Sequence, residues 1–349
     1  MTRLHFVIPG DIDLPTGGYS YDRRALALLP SFEVDAHHLV LPGTYPAPTA
    51  ADLAETRTRI AATAPDDILL IDGLAYGAMP GDLIRRFERK IVALVHHPLC
   101  LEAGIGAARA AELRQLETDA LALARHVIVT SPLTGRTLTA DFGVPSGRIT
   151  VAEPGTDPAD RAQGSGNKTP QLLAVGSLVP RKGYDVLIEA LVPLKTLHWR
   201  LDIAGAIDRS PGTVRQIESM IAAHGLGDRI TLLGPVSETD LGKLYDRADL
   251  FVLASHYEGY GMVLAEALAR GLPIVCTTGG AAADTVPDGA ALKVEPGSPR
   301  ALAWTLGRAI EDKKIRQGLA DNAWAAAQGL PRWQDTARRI AAAIKEVAR

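Results

Sequence analysis

Residues 249–266 read DLFVLASHYEGYGMVLAE, and this stretch decides the fold. The apolar run 250–253 predicts a buried parallel strand, and residues 263–270 predict a helix. A Gly-Tyr-Gly corner lies between them and is flanked by Glu258 and Glu266. In an open α/β sheet, ligands bind in the crevice outside the carboxyl ends of the strands. The free N–H groups at a helix start attract anions there. The stretch therefore predicts a ligand-binding loop of an α/β protein.

Glu258 and Glu266 are the first candidates for ligand contact. A carboxylate at a helix start repels phosphate, so we expect Glu258 to accept hydrogen bonds from hydroxyl groups. Glu266 lies about two helical turns further on and could reach a second pair of hydroxyls. A nucleotide sugar would fit this arrangement, because it carries hydroxyl groups on both sides of its phosphates. The alternative is that Glu258 is a turn acid and Glu266 a solvated helix residue.

Composition narrows the class of protein. The chain has 349 residues, which exceeds the usual size of one hydrophobic core and favours two domains. Its 37 basic and 40 acidic residues argue against a nucleic-acid partner. The two cysteines give no disulfide framework or zinc pattern and suit the cytoplasm, where we expect the protein. Neither a signal-peptide core nor a run of about 18 apolar residues is present, so no membrane span is expected.

Strand-like and helical runs alternate from end to end, which predicts an α/β fold of two Rossmann-like domains with parallel sheets facing a central cleft. We expect an N-terminal, acceptor-binding domain at 1–155, a nucleotide-sugar-binding domain at 170–330, and a final helix at 331–349 that crosses back to the first domain. The Pro/Gly-rich stretch 153–170 is the expected linker. The predicted strands are Leu4–Ile8, Glu33–Val40, Ile68–Ile71, Ile91–Val95, Val127–Thr130, Leu172–Val175, Arg200–Ala204, Ile230–Leu232, Leu250–Leu253 and Ile274–Cys276.

The second domain begins with a strand that runs into the loop 176–183, GSLVPRKG. Arg181 and Lys182 supply adjacent positive charges at its mouth, where a diphosphate could bind. Such cations favour departure of a diphosphate, because they stabilise the charge that grows on it. No acid cluster suited to Mg²⁺ is apparent in the sequence, so we expect a metal-independent site. The alternative is a solvated pair of basic residues.

The first domain offers two weaker signals. Gly17 and Gly18 stand between the first strand and the first helix, where glycines allow close backbone approach to a ligand. His96 and His97 follow the fourth strand, and we expect one of them, His96, to enter the site. There it could donate to a sugar hydroxyl or stabilise charge. Residues 82–90 could present a basic helical face to an anionic membrane surface, but a solvated helix is favoured.

Taken together, these motifs resemble the retaining glycosyltransferases of family four, which have the GT-B fold. The family's E-x7-E element matches Glu258 to Glu266, and its basic loop matches 180–183. The resemblance implies that the donor sugar contacts Glu258 and the corner Gly259, Tyr260 and Gly261. It further implies that Glu266 binds ribose, that Arg181 and Lys182 grip the diphosphate, that Gly17 and Gly18 lie beside the phosphates, and that His96 is the active-site histidine. The 278–280 loop also resembles the family's donor-sugar loop. Many relatives carry Arg where this chain has Ser177.

The resemblance implies transfer of a sugar from a UDP- or GDP-sugar to an acceptor, with retention of anomeric configuration and without metal or cofactor. The acceptor, a small molecule, glycan or lipid-linked molecule, is not identified by the sequence. One alternative is a GT-B nucleotide-sugar epimerase, which needs no acceptor. Another is a non-catalytic sugar-nucleotide-binding protein. A Rossmann oxidoreductase is disfavoured, because the G-x-G-x-x-G fingerprint is absent.

Overall fold

Apolar strands alternate with helices along the whole chain, and the computed structural model describes all residues from 1 to 349. The chain divides into two units. The first comprises Met1–Gly155 and Pro331–Arg349, and the second comprises Thr156–Leu330.

The polar stretch expected as a linker is attached to the second unit. The Ala162 N–H donates to the Arg270 carbonyl at 2.9 Å, and the Gly164 N–H donates to the Asp246 carbonyl at 2.9 Å. Part of the stretch that its composition predicts to be a flexible linker is therefore fixed by backbone hydrogen bonds.

The first unit is built on one parallel sheet. Its strands are β1 (Thr2–Pro9), β2 (Val34–Leu41), β3 (Ile68–Asp72), β4 (Lys90–Val95), β5 (His126–Val129) and β6 (Ile149–Val151). They lie in the order β2-β1-β3-β4-β5-β6. The helices are α1 (Gly17–Leu28), α2 (Ala50–Ala61), α3 (Gly73–Tyr76), α4 (Gly81–Arg85), α5 (Ala107–Leu123) and α6 (Pro132–Phe142). Every residue of β3 and β5 is buried, as parallel strands covered on both faces require.

The second unit repeats this plan. Its strands are β7 (Gln171–Val175), β8 (Arg200–Ala204), β9 (Ile230–Gly234), β10 (Leu250–Leu253), β11 (Ile274–Thr277) and β12 (Ala291–Val294), in the parallel order β12-β11-β10-β7-β8-β9. The helices are α7 (Tyr184–Leu191), α8 (Pro211–Ala223), α9 (Glu238–Arg247), α10 (Met262–Ala269), α11 (Ala282–Thr285), α12 (Pro299–Glu311) and α13 (Lys313–Ala326). Two apolar clusters enclose this sheet, one centred on Leu172, Leu201 and Val252, the other on Leu173, Phe251 and Ile274.

A last helix, α14 (Trp333–Ala348), packs against α1 and the strands of the first sheet. Its Trp333 ring lies 5.9 Å from the Tyr21 ring, and the Thr336 hydroxyl donates to the Glu153 carbonyl at 2.6 Å. These contacts assign the C-terminal helix to the first unit. None of the helices in the chain combines the length and the hydrophobicity that crossing a membrane requires.

All ten predicted strands are confirmed, with ends that differ by no more than a few residues. The helix expected at 82–90 is wrong beyond Arg85, because α4 ends there and Lys90 already begins β4. Glu88 in between has a left-handed φ of 49°. The basic side chains of 82–90 therefore do not share one helical face.

Each sheet contains a point at which the chain reverses its direction of winding. After β1 the chain adds β2 on one side and then returns to place β3 on the other. In the second unit β8 and β9 extend one side of β7, and β10 lies on the other. Open α/β sheets bind ligands outside the strand ends at such points. The fold thus provides one candidate position in each unit.

We predict that Gly155→Ala destabilises the first unit. A Cβ at this position would lie 2.2 Å from the Trp333 backbone nitrogen, so the start of α14 must shift. Overpacking of this kind costs about 1–3 kcal/mol. Urea unfolding followed by tryptophan fluorescence measures the loss.

Gly147→Ala is the matched control, because its Cβ would meet no atom within 4 Å. It should change the unfolding free energy by no more than about 0.5 kcal/mol. Equal stability of the two variants would contradict the close docking of α14.

Candidate functional site

The loops that follow β7 and β10 are hydrogen-bonded to each other. The His256 N–H donates to the Arg181 carbonyl at 2.8 Å, and the Arg181 guanidinium donates to the Tyr257 carbonyl at 2.6 Å. Gly183 has a φ of +62°, and a Cβ there would lie 2.2 Å from the Ala254 carbonyl oxygen. Only glycine fits such a position. The two predicted ligand loops therefore form one structure at the β7–β10 reversal.

Glu258 joins the predicted acids and cations into one ionic cluster. The Lys182 Nζ lies 2.7 Å from its Oε1, and an Arg181 Nη1 lies 3.3 Å from its Oε2. The Ser255 hydroxyl also donates to Oε1, at 2.6 Å. Glu258 is only 5% exposed. The cluster thus contains two cations and one buried carboxylate.

The charges in this cluster depend on one another. Burial alone would raise the pKa of the Glu258 carboxyl, but Lys182, Arg181 and the Ser255 hydrogen bond outweigh burial and lower the pKa to about 2. Glu258 is therefore ionised throughout the neutral range. From the sequence we expect Glu258 to accept hydrogen bonds from hydroxyl groups and the two cations to bind a diphosphate. In this structure the acid and the cations are ion-paired with one another.

The Gly-Tyr-Gly corner leads from this cluster into α10. Gly261 has a φ of +93° and precedes the first residue of the helix. The 278–280 loop lies against the same segment, because the Glu258 N–H donates to the Gly279 carbonyl and the Ala281 N–H donates to the Glu258 carbonyl. A Cβ at Gly280 would lie 2.3 Å from the Glu258 carbonyl oxygen. Backbone contacts on both sides therefore fix the position of Glu258.

Glu266 is the fifth residue of α10, about one turn into the helix, and is held by a different set of residues. The Tyr245 hydroxyl donates to its Oε2 at 2.8 Å. The Arg270 guanidinium lies 4.5 Å from the centre of the Tyr245 ring. Burial raises the pKa of Glu266, while the Tyr245 hydrogen bond and Arg270 oppose that rise. The two glutamates of the E-x7-E pattern are thus in separate surroundings, one ion-paired and one hydrogen-bonded to a tyrosine.

In the first unit, His96 lies between two aspartates that the sequence analysis did not single out. Its Nε2 is 3.3 Å from Asp22 Oδ1 and 3.3 Å from Asp72 Oδ2. Asp22 comes from α1 and is fully buried, and Asp72 ends β3. The three residues are distant in sequence, and the sheet topology brings them together at the β1–β3 reversal. The position of Asp72 at the end of a buried strand is the one signal in the sequence that could have indicated it.

This second cluster also has coupled charges. Burial alone would lower the pKa of His96, but Asp22 and Asp72 outweigh burial and raise the pKa to about 10. Burial and the neighbouring Asp72 raise the pKa of Asp22 to about 7, although His96 opposes the rise. The two carboxylates therefore favour the protonated, positively charged form of the imidazole.

Gly17, Gly18 and His97 are the remaining candidates of the first unit. Gly17 is the first residue of α1, and the Thr16 hydroxyl caps this helix by accepting the Tyr19 N–H at 3.1 Å. A Cβ at Gly18 would lie 3.5 Å from the His96 ring, an ordinary van der Waals distance, so the start of α1 packs directly against the ring. His97 is directed elsewhere, since its Nε2 lies 3.0 Å from a Glu102 carboxylate oxygen.

We predict that the stability contributed by Glu258 depends on pH in one direction. The folded-state pKa of about 2 lies below the ordinary value of 4.5, so the contribution is fully present above about pH 4.5 and is lost as pH falls toward 2. Glu258→Gln should lower the unfolding free energy at pH 7 by about 3–5 kcal/mol, as loss of one partner of a buried pair does. Urea unfolding at pH 7, 4.5 and 3.5 measures this deficit relative to wild type.

The deficit should shrink between pH 4.5 and pH 3.5. The control is Glu218→Gln on the exposed face of α8, which should alter stability little at any of these values. A deficit of the same size at all three pH values would show that the Glu258 charge does not stabilise the fold.

The chain is similar in sequence to named proteins over more than half of its length. Over 237 residues it is 29% identical to mannosylfructose-phosphate synthase of Agrobacterium fabrum, a match that covers 63% of this chain and 52% of that protein. It is 31% identical over 204 residues to D-inositol 3-phosphate glycosyltransferase of Xylanimonas cellulosilytica, covering 54% of this chain and 49% of the relative. The chain spans about half the length of these curated relatives.

Solved structures match almost the entire chain. Sucrose-phosphate synthase from Thermosynechococcus elongatus superposes with a TM-score of 0.84 at 21% identity, covering 99% of both chains. Anabaena HepE in complex with UDP and glucose gives a TM-score of 0.76 at 19% identity, covering 97% of this chain and 99% of that one. Together with the two six-stranded parallel sheets, these matches confirm the predicted GT-B fold.

The family comparison concerns the second unit. The family model described as "Glycosyl transferases group 1" matches residues 156–325, which nearly coincide with the unit Thr156–Leu330. The Glu258 cluster and Glu266 both lie inside the matched region. The similarity to glycosyl transferases group 1 is therefore carried by the second unit.

Proposed function

We propose that the protein is a glycosyltransferase that moves a sugar from a nucleoside-diphosphate sugar to an acceptor. The observation that carries this proposal is the cluster of Arg181, Lys182 and Glu258 at the strand reversal of a group 1 domain. Two cations favour an anionic ligand, and the adjacent carboxylate favours a ligand with hydroxyl groups. A sugar attached to a diphosphate supplies both.

Donor binding exchanges the partners within this cluster. The diphosphate oxygens replace Glu258 as acceptors for the Lys182 ammonium and the Arg181 guanidinium. Glu258 is then released to accept hydrogen bonds from sugar hydroxyls, together with the backbone of Gly259–Gly261. Until the donor arrives, Glu258 keeps the two long basic side chains in place, so little of their conformational freedom remains to be lost on binding.

The same cations assist the reaction itself. Negative charge grows on the diphosphate as its bond to the sugar breaks, and positioned cations stabilise that charge more in the transition state than in the ground state. The diphosphate oxygen then takes the proton of the acceptor hydroxyl as the new bond forms on the same face of the sugar. That course retains the anomeric configuration and needs no metal or other cofactor.

The remaining candidates complete the assignment. Glu266 binds the ribose hydroxyls, and its Tyr245 partner orients the carboxylate. The first unit binds the acceptor, and Gly17, Gly18 and His96 are its proposed ligand contacts. Relatives named for mannosylfructose phosphate and for D-inositol 3-phosphate suggest phosphorylated polyols and ketoses as the first acceptors to try.

We predict that Lys182→Met and Glu258→Gln each lower the rate of transfer by about 10²–10³-fold, on the scale of losing one transition-state charge partner. Thermal stabilisation by UDP-glucose or GDP-mannose first selects the donor. The purified protein is then incubated with that donor and with D-inositol 3-phosphate or a fructose phosphate, in EDTA. Mass spectrometry detects the product, and proton NMR of the anomeric signal determines retention.

Lys195→Met, which removes an exposed lysine of the same unit, is the control and should keep wild-type activity. If the transfer rates of both site variants stayed within about tenfold of the wild-type rate, Lys182 and Glu258 would not have the proposed roles. Conversion of the donor sugar without any acceptor would identify an epimerase, and donor binding without turnover would identify a non-catalytic binding protein. An absolute requirement for Mg²⁺ would contradict the metal-free reaction.

A further inference from the structure

The pair of aspartates around His96 has no assigned role, and its geometry is specific. Both carboxylates approach the same ring nitrogen, Nε2, at 3.3 Å. That nitrogen is buried, and the His96 side chain retains 21% exposure. Nε2 therefore faces the interior of the unit. The exposed part of the ring, which a ligand can reach, does not include this nitrogen.

Each aspartate is fixed by its own element. Asp72 Oδ1 accepts the Leu74 N–H at 2.8 Å and so caps α3, which leaves Oδ2 for His96. Asp22 lies within α1 with no exposed surface, and neither of its carboxylate oxygens has a conventional hydrogen bond. An unpartnered, fully buried carboxylate is costly unless a charge lies beside it. The His96 ring is the group beside it.

Charge balance determines the state of the histidine. Two carboxylates that share one buried location repel each other, and they cannot both be ionised without a cation between them. The titratable groups that face the ring are Asp22 and Tyr21 from α1 and Asp72 from β3. The Tyr21 hydroxyl donates to the Ala152 carbonyl at 2.9 Å, and burial raises its pKa, so it stays neutral. The imidazolium form of His96 is therefore the counter-ion of the aspartates.

We propose that Asp22 and Asp72 are positioning residues that hold His96 as a permanent imidazolium ion, which serves transfer as a fixed positive charge and not as a base. The first half of this proposal concerns ionisation alone, and the second half rests on the proposed function. With Nε2 buried against the two aspartates, Nδ1–H is the donor that remains for a sugar or phosphate oxygen.

Ring-nitrogen NMR tests the ionisation directly. The full-length protein is labelled with ¹⁵N-histidine, and His96→Asn assigns the His96 signal. We expect both His96 ring nitrogens to keep imidazolium shifts from pH 6 to pH 8.5, in agreement with the raised pKa of this ring. The exposed His198 provides the comparison signal. A neutral His96 ring at pH 7.5 in the wild-type protein would overturn the proposal without any measurement of activity.

Substitution of the aspartates tests their positioning role. In the Asp22→Asn/Asp72→Asn double variant, His96 stays buried but loses both anions, so its ring should be neutral at pH 7.5. The amide side chain introduced by Asp72→Asn can still cap α3 through its carbonyl oxygen. The control is Asp66→Asn at an exposed position of the same unit, which should leave the His96 signal unchanged.

The pH profile of the transfer rate then distinguishes an electrostatic role of His96 from a merely structural role. Wild-type kcat should stay level as pH rises from 6 to 8.5. In the double variant kcat should fall by about tenfold or more over the same range, because His96 loses its proton. A level profile in the double variant, with a neutral ring by NMR, would overturn the charge role.

Two further outcomes are distinct from these. An imidazolium signal in a protein that shows no transfer with any donor would support the ionisation and refute the proposed function. Stoichiometric Zn²⁺ or Mn²⁺ that broadens or shifts the His96 ring signals would identify the cluster as a metal site, which would overturn the proposal.

Discussion

The contact of Glu258 with Lys182 and Arg181 is the interaction on which the candidate site depends. It joins the loops after β7 and β10, and it places one acid and two cations at the point where the second sheet reverses. Burying a carboxylate is unfavourable unless several donors compensate. Here the cations, the Ser255 hydroxyl and the surrounding backbone provide that compensation. A site built this way is ordered by its own ion pairs, and its charges are largely removed from solvent.

Most of the fold could be predicted because buried parallel strands are marked by short apolar runs. The runs at Ile68–Asp72, His126–Val129 and Leu250–Leu253 are wholly buried, and each was recognisable from composition. Two edge strands were missed, Ile149–Val151 and Ala291–Val294, because most of their residues are only half-buried and their pattern is weak. The helix expected at 82–90 stops at Arg85, because the chain turns there and Glu88 adopts a left-handed backbone, which hydrophobic spacing does not encode.

The candidate site was predictable only where its residues are neighbours in sequence. The motifs around Glu258 and Lys182 each lie in one loop, and their strand–loop–helix context indicated the strand ends. The pairing between the two loops was not predictable, because sequence gives positions and not side-chain conformations. Asp22 and Asp72 were missed for a related reason. They meet His96 only through the order of β1, β3 and β4, and nothing near His96 in the sequence signals a carboxylate.

The decisive experiment is a crystal structure of the protein with its preferred nucleoside-diphosphate sugar. We expect diphosphate oxygens within hydrogen-bond distance of the Lys182 ammonium and the Arg181 guanidinium, with the Glu258 carboxylate released toward the sugar hydroxyls. A bound nucleotide that leaves the Lys182–Glu258 ion pair intact and touches neither cation would contradict this expectation.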